Sequence, residues 1–280
     1  MNDFSITWSA HLPEGSTQVL IPGGLSAPDA VCNGVAVTGG AVRQITEATT
    51  GQTVLCVMPE APDLAVRWSF TEAQGSYPEA LFTPHPSRFT RTADALRAEV
   101  AGIAADQTGL ARAVAIACAT AERFTYGHPA ARFNDGHDAI PALGCGLTEG
   151  SCVDINTYFL AALRAVGIEA GYVTGFFFPQ EKQGRCEDGH CWVLTRIDGA
   201  VQTWDIAHHL KMGTRDIRPA PNPKPGFRAA YFYGMGLDFP DLGLCAVKAL
   251  IEPACLNGAT VLRPVAPEIR LHRQPAGMPA

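Results

Sequence analysis

The sequence predicts an α+β protein in which a β-rich N-terminal region precedes a mixed helical and antiparallel region. Three observations lead to this class. Short β-branched segments separated by Gly, Pro, Asn and Asp fill residues 1–83. Two helical patterns follow, at 92–105 and 110–124. The pair Asp198-Gly199 then separates two β-like runs, which is typical of a hairpin with a type I′ turn.

The N-terminal region contains five segments of strand composition, and their regular spacing predicts a small antiparallel sandwich or barrel. These segments are 4–10, 17–21, 31–38, 52–58 and 64–71. Two prolines, Pro84 and Pro86, bracket one residue where the pattern changes from strand to helix, so they mark a boundary. We therefore predict a β-rich domain over 1–83 and a catalytic domain over 84–280, with a core at about 92–210.

Composition excludes several classes of protein. Hydrophobic residues make up 47% of the chain and charged residues 17%, which is typical of a globular protein and not of a disordered one. The net charge of −6 argues against a nucleic-acid partner, because phosphate binding needs clustered Lys and Arg. The longest apolar runs, 110–121 and 171–179, are too short to span a membrane. The N-terminus lacks a basic start followed by an apolar core, so we expect a cytoplasmic protein with reduced cysteines.

The stretch 147–170 predicts a buried helix that begins with a cysteine. Ser151 is a candidate N-cap, apolar residues recur at near-helical spacing after it, and Gly167 stands where a left-handed C-cap belongs. Cys152 therefore lies at the helix N-terminus, where free N–H groups and the helix dipole favour a thiolate. The same N–H groups can receive an oxyanion. A free cysteine is nevertheless more often a packing residue than a nucleophile.

After this helix the pattern predicts strands at 169–178, 189–197 and 200–207, with the hairpin turn at Asp198-Gly199. The turn sets a register in which His190 and Asp205 are diagonal neighbours on one face of two antiparallel strands. Their side chains are then within hydrogen-bonding reach. Residues 218–227 are predicted to be a Pro-rich surface segment, and 244–251 and 259–265 are two further candidate strands.

Along the chain a thiol comes first, then an imidazole and then a carboxylate. This order resembles that of the transglutaminase-like superfamily, which has a papain-like core. The motifs that carry the resemblance are Gly150-Ser151-Cys152-Val153-Asp154 at the helix start, Gly189-His190-Cys191-Trp192-Val193 on one strand, and Trp204-Asp205 on the next. Arg123-Phe124-Thr125-Tyr126 is similar to the end of the helix that precedes the loop in that family. One departure is that Ile206-Ala207 follow the Asp strand, where family members commonly continue with Pro-Thr.

The resemblance implies a nucleophile at Cys152, a general base and acid at His190, and an orienting carboxylate at Asp205. Trp192, Tyr126 and Ser151 are candidates for substrate binding or for the oxyanion site. We expect a peptide or amide substrate, no cofactor and no membrane partner. Three functions remain open: hydrolysis of an amide through a thioester, transfer of the acyl group to an amine, and a binding module that keeps the fold without the activity.

A metal site is the main chemical alternative, because several soft ligands lie in the same part of the chain: Cys145, Cys186, His190, Cys191, His208 and His209. The sequence has no Cys-x-x-Cys and no His-Glu-x-x-His motif. Adjacent residues of a strand point to opposite faces, so at most one of each adjacent pair could bind a metal. We therefore predict no metal.

Overall fold

The computed structural model of the chain describes residues 3–264 and 266–273. Within these ranges the chain forms eighteen β-strands and four α-helices. The strands are β1 Asp3–His11, β2 Gln18–Pro22, β3 Val31–Thr38, β4 Gly40–Thr46, β5 Thr53–Pro59, β6 Asp63–Thr71, β7 Phe124–Tyr126, β8 Thr148–Gly150, β9 Glu169–Pro179, β10 Arg185–Cys186, β11 Gly189–Ile197, β12 Ala200–Trp204, β13 Gly226–Tyr233, β14 Leu237–Phe239, β15 Leu244–Val247, β16 Ala254–Asn257, β17 Thr260–Leu262 and β18 Glu268–Arg273. The helices are α1 Asp94–Ala101, α2 Gly109–Ala121, α3 Cys152–Ala165 and α4 Ile206–Lys211.

The first six strands lie in two five-stranded sheets, with the orders β10-β18-β1-β6-β3 and β17-β16-β2-β5-β4. Along β1 every second residue is buried, including Phe4, Ile6 and Trp8, because alternate side chains of a strand point to one face. Residues from both sheets share one hydrophobic core. This is the arrangement of a sandwich.

Strands from the C-terminal part of the chain complete both sheets, which corrects the predicted division at residue 83. β18 pairs with β1, and β16 pairs with β2. β16, β17 and β18 thus belong with the first 71 residues, and long-range pairing of this kind leaves no local signal in the sequence. The candidate strand 244–251 is shorter, as β15, and the candidate strand 259–265 is present as β17. Val265 itself lies outside the described residues.

The second region is built around a four-stranded antiparallel sheet with the order β12-β11-β9-β13. α3 packs against β9 and β11, and α1, α2 and α4 pack against α3. Phe159 of α3, Tyr172 of β9 and Val193 of β11 are all buried in the core between the helix and the sheet. On β9, Phe176 and Phe178 instead join the core of the sandwich, so the two regions are in direct contact.

The helix and the hairpin that carry the candidate site form as predicted. Ser151 is the N-cap of α3, and Gly167 follows the helix end with φ +79°. Asp198 and Gly199 both have positive φ, 50° and 77°, as a type I′ turn requires. The two predicted helices at 92–105 and 110–124 correspond to α1, which is shorter at both ends, and to α2, which begins one residue earlier and ends three residues earlier.

One prediction about local structure is wrong. The strand predicted over 200–207 ends at Trp204, because Asp205 caps α4 and its side chain accepts from His208 N. The Pro-rich segment 218–227 is exposed or half-buried, as predicted for a surface segment, and its last two residues begin β13, an edge strand that pairs with β9. Residues 148–150, directly before α3, form β8, which pairs in parallel with β7. Across the described residues, no helix combines the length and the apolar character that crossing a membrane requires.

Candidate active site

The first element of the site is the N-terminus of α3. Cys152 is its first helical residue, is only 8% exposed, and lines a cleft of about 440 Å³. Ser151 and Asp154 form a capping box, in which the Asp154 carboxylate accepts from Ser151 N at 2.9 Å and from Ser151 Oγ at 2.7 Å. This box sets where the helix begins and therefore where the thiol stands.

The loop that precedes α3 is tied to the same capping box. Arg132 donates to Asp154 Oδ2 at 2.6 Å and to Ser151 Oγ at 2.9 Å. Lys248 lies 3.4 Å from Asp154 Oδ1 on the other side. Burial alone would raise the pKa of Asp154, but the bonds from Ser151 and the two cations hold it below its usual value. The loop is thus anchored beside the thiol, and Asp154 has a structural role.

The second element is the β11–β12 hairpin, which brings His190 and Asp205 together. The register pairs Val193 with Trp204, so His190 near the start of β11 and Asp205 just after β12 are diagonal neighbours. His190 Nε2 lies 2.7 Å from Asp205 Oδ2, and both side chains are buried. Because Nε2 is engaged by the carboxylate, Nδ1 is the ring nitrogen that remains for the thiol.

Two further side chains contact the Asp205 carboxylate. His208 Nδ1 lies 2.9 Å from Oδ2, and its ring stacks on that of His190 with a centroid distance of 4.2 Å and an interplanar angle of 10°. Arg228 of β13 donates to the same oxygen, with its guanidinium 4.7 Å from the ring centroid of Trp192. Asp205 therefore lies at the centre of a buried polar cluster.

The electrostatics of this cluster follow from burial and from opposite charges. Burial alone would lower the pKa of His190, but the carboxylate of Asp205 outweighs it and raises this pKa to about 9. Burial alone would raise the pKa of Asp205, but His190, His208 and Arg228 hold it well below its usual range. Burial lowers the pKa of His208 to about 4, so this ring is neutral near pH 7.

The thiol itself has a second thiol as a neighbour. The neighbouring thiol of Cys191, together with burial, raises the pKa of Cys152 well above its usual value, while the neighbouring imidazole of His190 acts in the opposite direction. Cys191 lies on the face of β11 that packs against α3 and is fully buried. This position agrees with the alternation of side chains along a strand, which puts Cys191 and His190 on opposite faces, but the sequence does not predict its contact with Cys152.

The donor atoms of His190, Asp205 and His208 lie within 4.8 Å of one another, a separation that suits a metal ion. Arg228 is bound to the same carboxylate oxygen that a metal would use. A divalent ion there would meet the guanidinium charge in a buried environment, where like charges repel strongly. The donor set therefore fits an ion-paired imidazole better than a metal centre.

The three candidates for substrate binding are placed differently. Ser151 lines the cleft, but its N–H and hydroxyl are both engaged by Asp154, so it cannot serve as an oxyanion donor. Trp192 covers Arg228 and lines a separate cavity of about 230 Å³, so it does not face the thiol. Tyr126 pairs with Gly150 beside the helix start and contacts His128, which lines the cleft.

The sequence did not predict the roles of four residues of the site: Asn156 and Arg228 are not among its candidates, and Cys191 and His208 are candidates only as metal ligands. A signal existed for two of them. Arg228 is the one charged residue in the apolar segment GFRAAYFY, and His208 stands three residues after the capping Asp205. For Cys191 and Asn156 the sequence carries no signal of the contact that they make.

Comparison with known proteins agrees with this geometry. The model of the Transglutaminase-like superfamily matches residues 94–204, from the start of α1 to the end of β12, and includes Cys152 and His190. Residues 94–204 belong to the transglutaminase-like superfamily. The match ends one residue before Asp205. A search of the curated proteins finds no match.

One solved structure shares the fold of this chain. A crystal structure named "Putative Cysteine Protease", from Cytophaga hutchinsonii, is 12% identical, with a TM-score of 0.58; the alignment covers 99% of this chain and 92% of that one. The periplasmic domain of TgpA from Pseudomonas aeruginosa is 14% identical with a TM-score of 0.38, covering 77% of this chain and 90% of that one. The first similarity extends over the sandwich strands as well as the matched domain.

Proposed function

We propose that the protein is a cysteine-dependent acyl-transfer enzyme that hydrolyses an amide bond through a thioester on Cys152. The observation that carries the proposal is the His190–Asp205 pair, with a 2.7 Å bond between Nε2 and Oδ2, placed against a thiol at a helix N-terminus in a cleft. Cysteine catalysis needs these three groups: a thiol, a base that accepts its proton, and a carboxylate that orients the base.

In the proposed reaction the neutral form of the His190 ring, whose share increases as the pH rises towards its pKa of about 9, accepts the thiol proton, and the sulfur attacks the amide carbonyl. The proton then passes from His190 to the leaving amine as the C–N bond breaks, which leaves a thioester. Cys152 N–H is suited to bind the oxyanion, because the first N–H groups of a helix have no acceptor within it. Water, activated by His190, attacks the thioester and releases the acid and the thiol.

Water is the proposed acceptor because it needs no binding site of its own, whereas an amine acceptor does. A peptide is the proposed substrate class, and this choice rests on the reaction type and on the family. The cytoplasmic location remains a proposal from the sequence.

The first test is whether Cys152 is a nucleophile. Iodoacetamide labelling followed by peptide mass mapping separates this thiol from the exposed Cys145 and Cys245. We expect Cys152→Ala to fold, because one sulfur is lost at a partly open site, and to abolish amide hydrolysis. Cys245→Ala is the matched control and should keep full activity. Retained activity in Cys152→Ala would end the proposal.

The second test separates hydrolysis from transfer. The enzyme is incubated with a glutamine-containing peptide and a labelled primary amine, and both released ammonia and incorporated label are measured. Ammonia with little label supports water as the acceptor. Incorporation of label without net hydrolysis would replace the hydrolase with a transglutaminase.

A further inference from the structure

Asn156 connects the nucleophile helix to the strand that carries His190. It lies on α3 one turn after Cys152 and is fully buried. Its side-chain Nδ2 donates to the backbone oxygen of Cys191 at 2.9 Å and lies 3.5 Å from Cys191 Sγ. Cys191 is the residue directly after His190.

The bond from Asn156 satisfies a backbone carbonyl that the hairpin leaves without a strand partner. The β11–β12 register pairs Val193 with Trp204, and its continuation would pair Cys191 with residue 206. Residue 206 instead begins α4, so the carbonyl of Cys191 has no strand partner on that side. A buried carbonyl needs a hydrogen bond, and Asn156 supplies it.

We propose that Asn156 is a positioning residue that holds the first part of β11, and with it the His190 ring, in register with the thiol of Cys152. It does not touch the reacting atoms. It acts through the Cys191 backbone, which it fastens to the same helix turn that presents the sulfur. This inference rests on the proposed function, in which the imidazole takes the thiol proton.

The physical basis is that proton transfer needs an approach of about 3 Å between sulfur and imidazole, and small displacements there cost large factors in rate. On its other edge β11 is paired with β9 through the whole stretch 189–196. On the side where β12 ends, this side-chain bond replaces the missing strand at the position next to His190.

The alternative is an ordinary buried hydrogen bond that stabilises α3 without setting the site. Thr157 is a matched control for it. Its hydroxyl is buried in the same helix and donates to Val153 O at 2.6 Å. Among the described residues this hydroxyl makes no hydrogen bond to β11. Thr157→Val therefore removes a buried polar group of α3 and leaves the strand untouched.

The experiment measures the rate constant for iodoacetamide alkylation of Cys152 as a function of pH, in the full chain, for wild type, Asn156→Leu and Thr157→Val. We expect Asn156→Leu to lower the rate at pH 7 to 8 at least tenfold and to give the pH profile of an isolated thiol. Thr157→Val should keep the wild-type profile. Urea denaturation of all three shows whether the losses of stability are similar.

If Asn156→Leu does not fold, Asn156→Ala gives the same comparison without a larger apolar group beside the carbonyl. Identical alkylation profiles in the Asn156 variants and Thr157→Val would overturn the positioning role. A wild-type Cys152 that does not react at any pH would instead refute the proposed function, so the two failures are distinguishable.

Discussion

Replacing Asp205 with Asn tests the electrostatics of the site most directly. Asn keeps the shape of the side chain and the oxygen that accepts from His208 N in the cap of α4. It removes the charge that His190 and Arg228 both contact. The fold should persist with lower stability, because a buried cation that loses its partner typically costs about 3–5 kcal/mol.

The pH dependence of stability shows how much the His190–Asp205 pair contributes to the free energy of unfolding. The folded-state pKa of His190 is raised to about 9 from an ordinary value of 6.5. A raised pKa stabilises the folded state fully below pH 6.5, and the contribution is lost as pH rises through 9. At about 1.4 kcal/mol for each pH unit, this contribution is about 3 kcal/mol.

The assay is urea denaturation of wild type and Asp205→Asn between pH 6 and 10. The stability gap between the two proteins should be largest near pH 6 and should narrow by about 3 kcal/mol towards pH 10. Asp216→Asn, which alters an exposed carboxylate paired with Arg218, is the control and should show no such trend. A gap that does not change with pH would refute the assignment of the raised pKa to the carboxylate.

The same variant has a predicted effect on catalysis. The imidazole loses the group that orients it, so turnover should fall about 100-fold or more. Alkylation of Cys152 should persist, because the thiol and the helix N-terminus are unchanged. Full turnover in Asp205→Asn would show that the carboxylate has no part in the reaction.

Three other substitutions test the surroundings of the site. Arg228→Met should cost about 3–5 kcal/mol in urea denaturation, because it leaves the buried carboxylate with one cation fewer, whereas Arg218→Met, at an exposed pair, should stay within about 0.5 kcal/mol. Cys191→Ala should speed the alkylation of Cys152 at pH 7, since each unit by which the pKa falls raises the thiolate fraction about tenfold; an unchanged or slower rate would contradict the contact. Gly175→Ala should destabilise by about 1–3 kcal/mol, because its Cβ would lie 2.0 Å from a backbone oxygen of β13; a wild-type denaturation midpoint would show that the sheet can adjust.

Two local patterns made the site predictable. The N-cap and apolar spacing of α3 are short-range features, and they placed Cys152 at a helix start. The Asp198-Gly199 turn determines which residues of the two strands lie opposite each other. Residues several positions away from the turn can therefore be paired to within one residue. The predicted pairing of His190 with Asp205 is therefore correct, although Asp205 caps α4 instead of lying within the strand predicted over 200–207.

The remaining features depend on contacts between distant parts of the chain. The return of β16 and β18 to the N-terminal sheets, the approach of Arg228 to the carboxylate and the bond from Asn156 to Cys191 all join segments that carry no shared local pattern. Packing decides these contacts, because buried charges and carbonyls must find partners wherever the fold brings them. The sequence by itself determined which residues could carry out cysteine chemistry; only the tertiary structure decided which partners hold them in place.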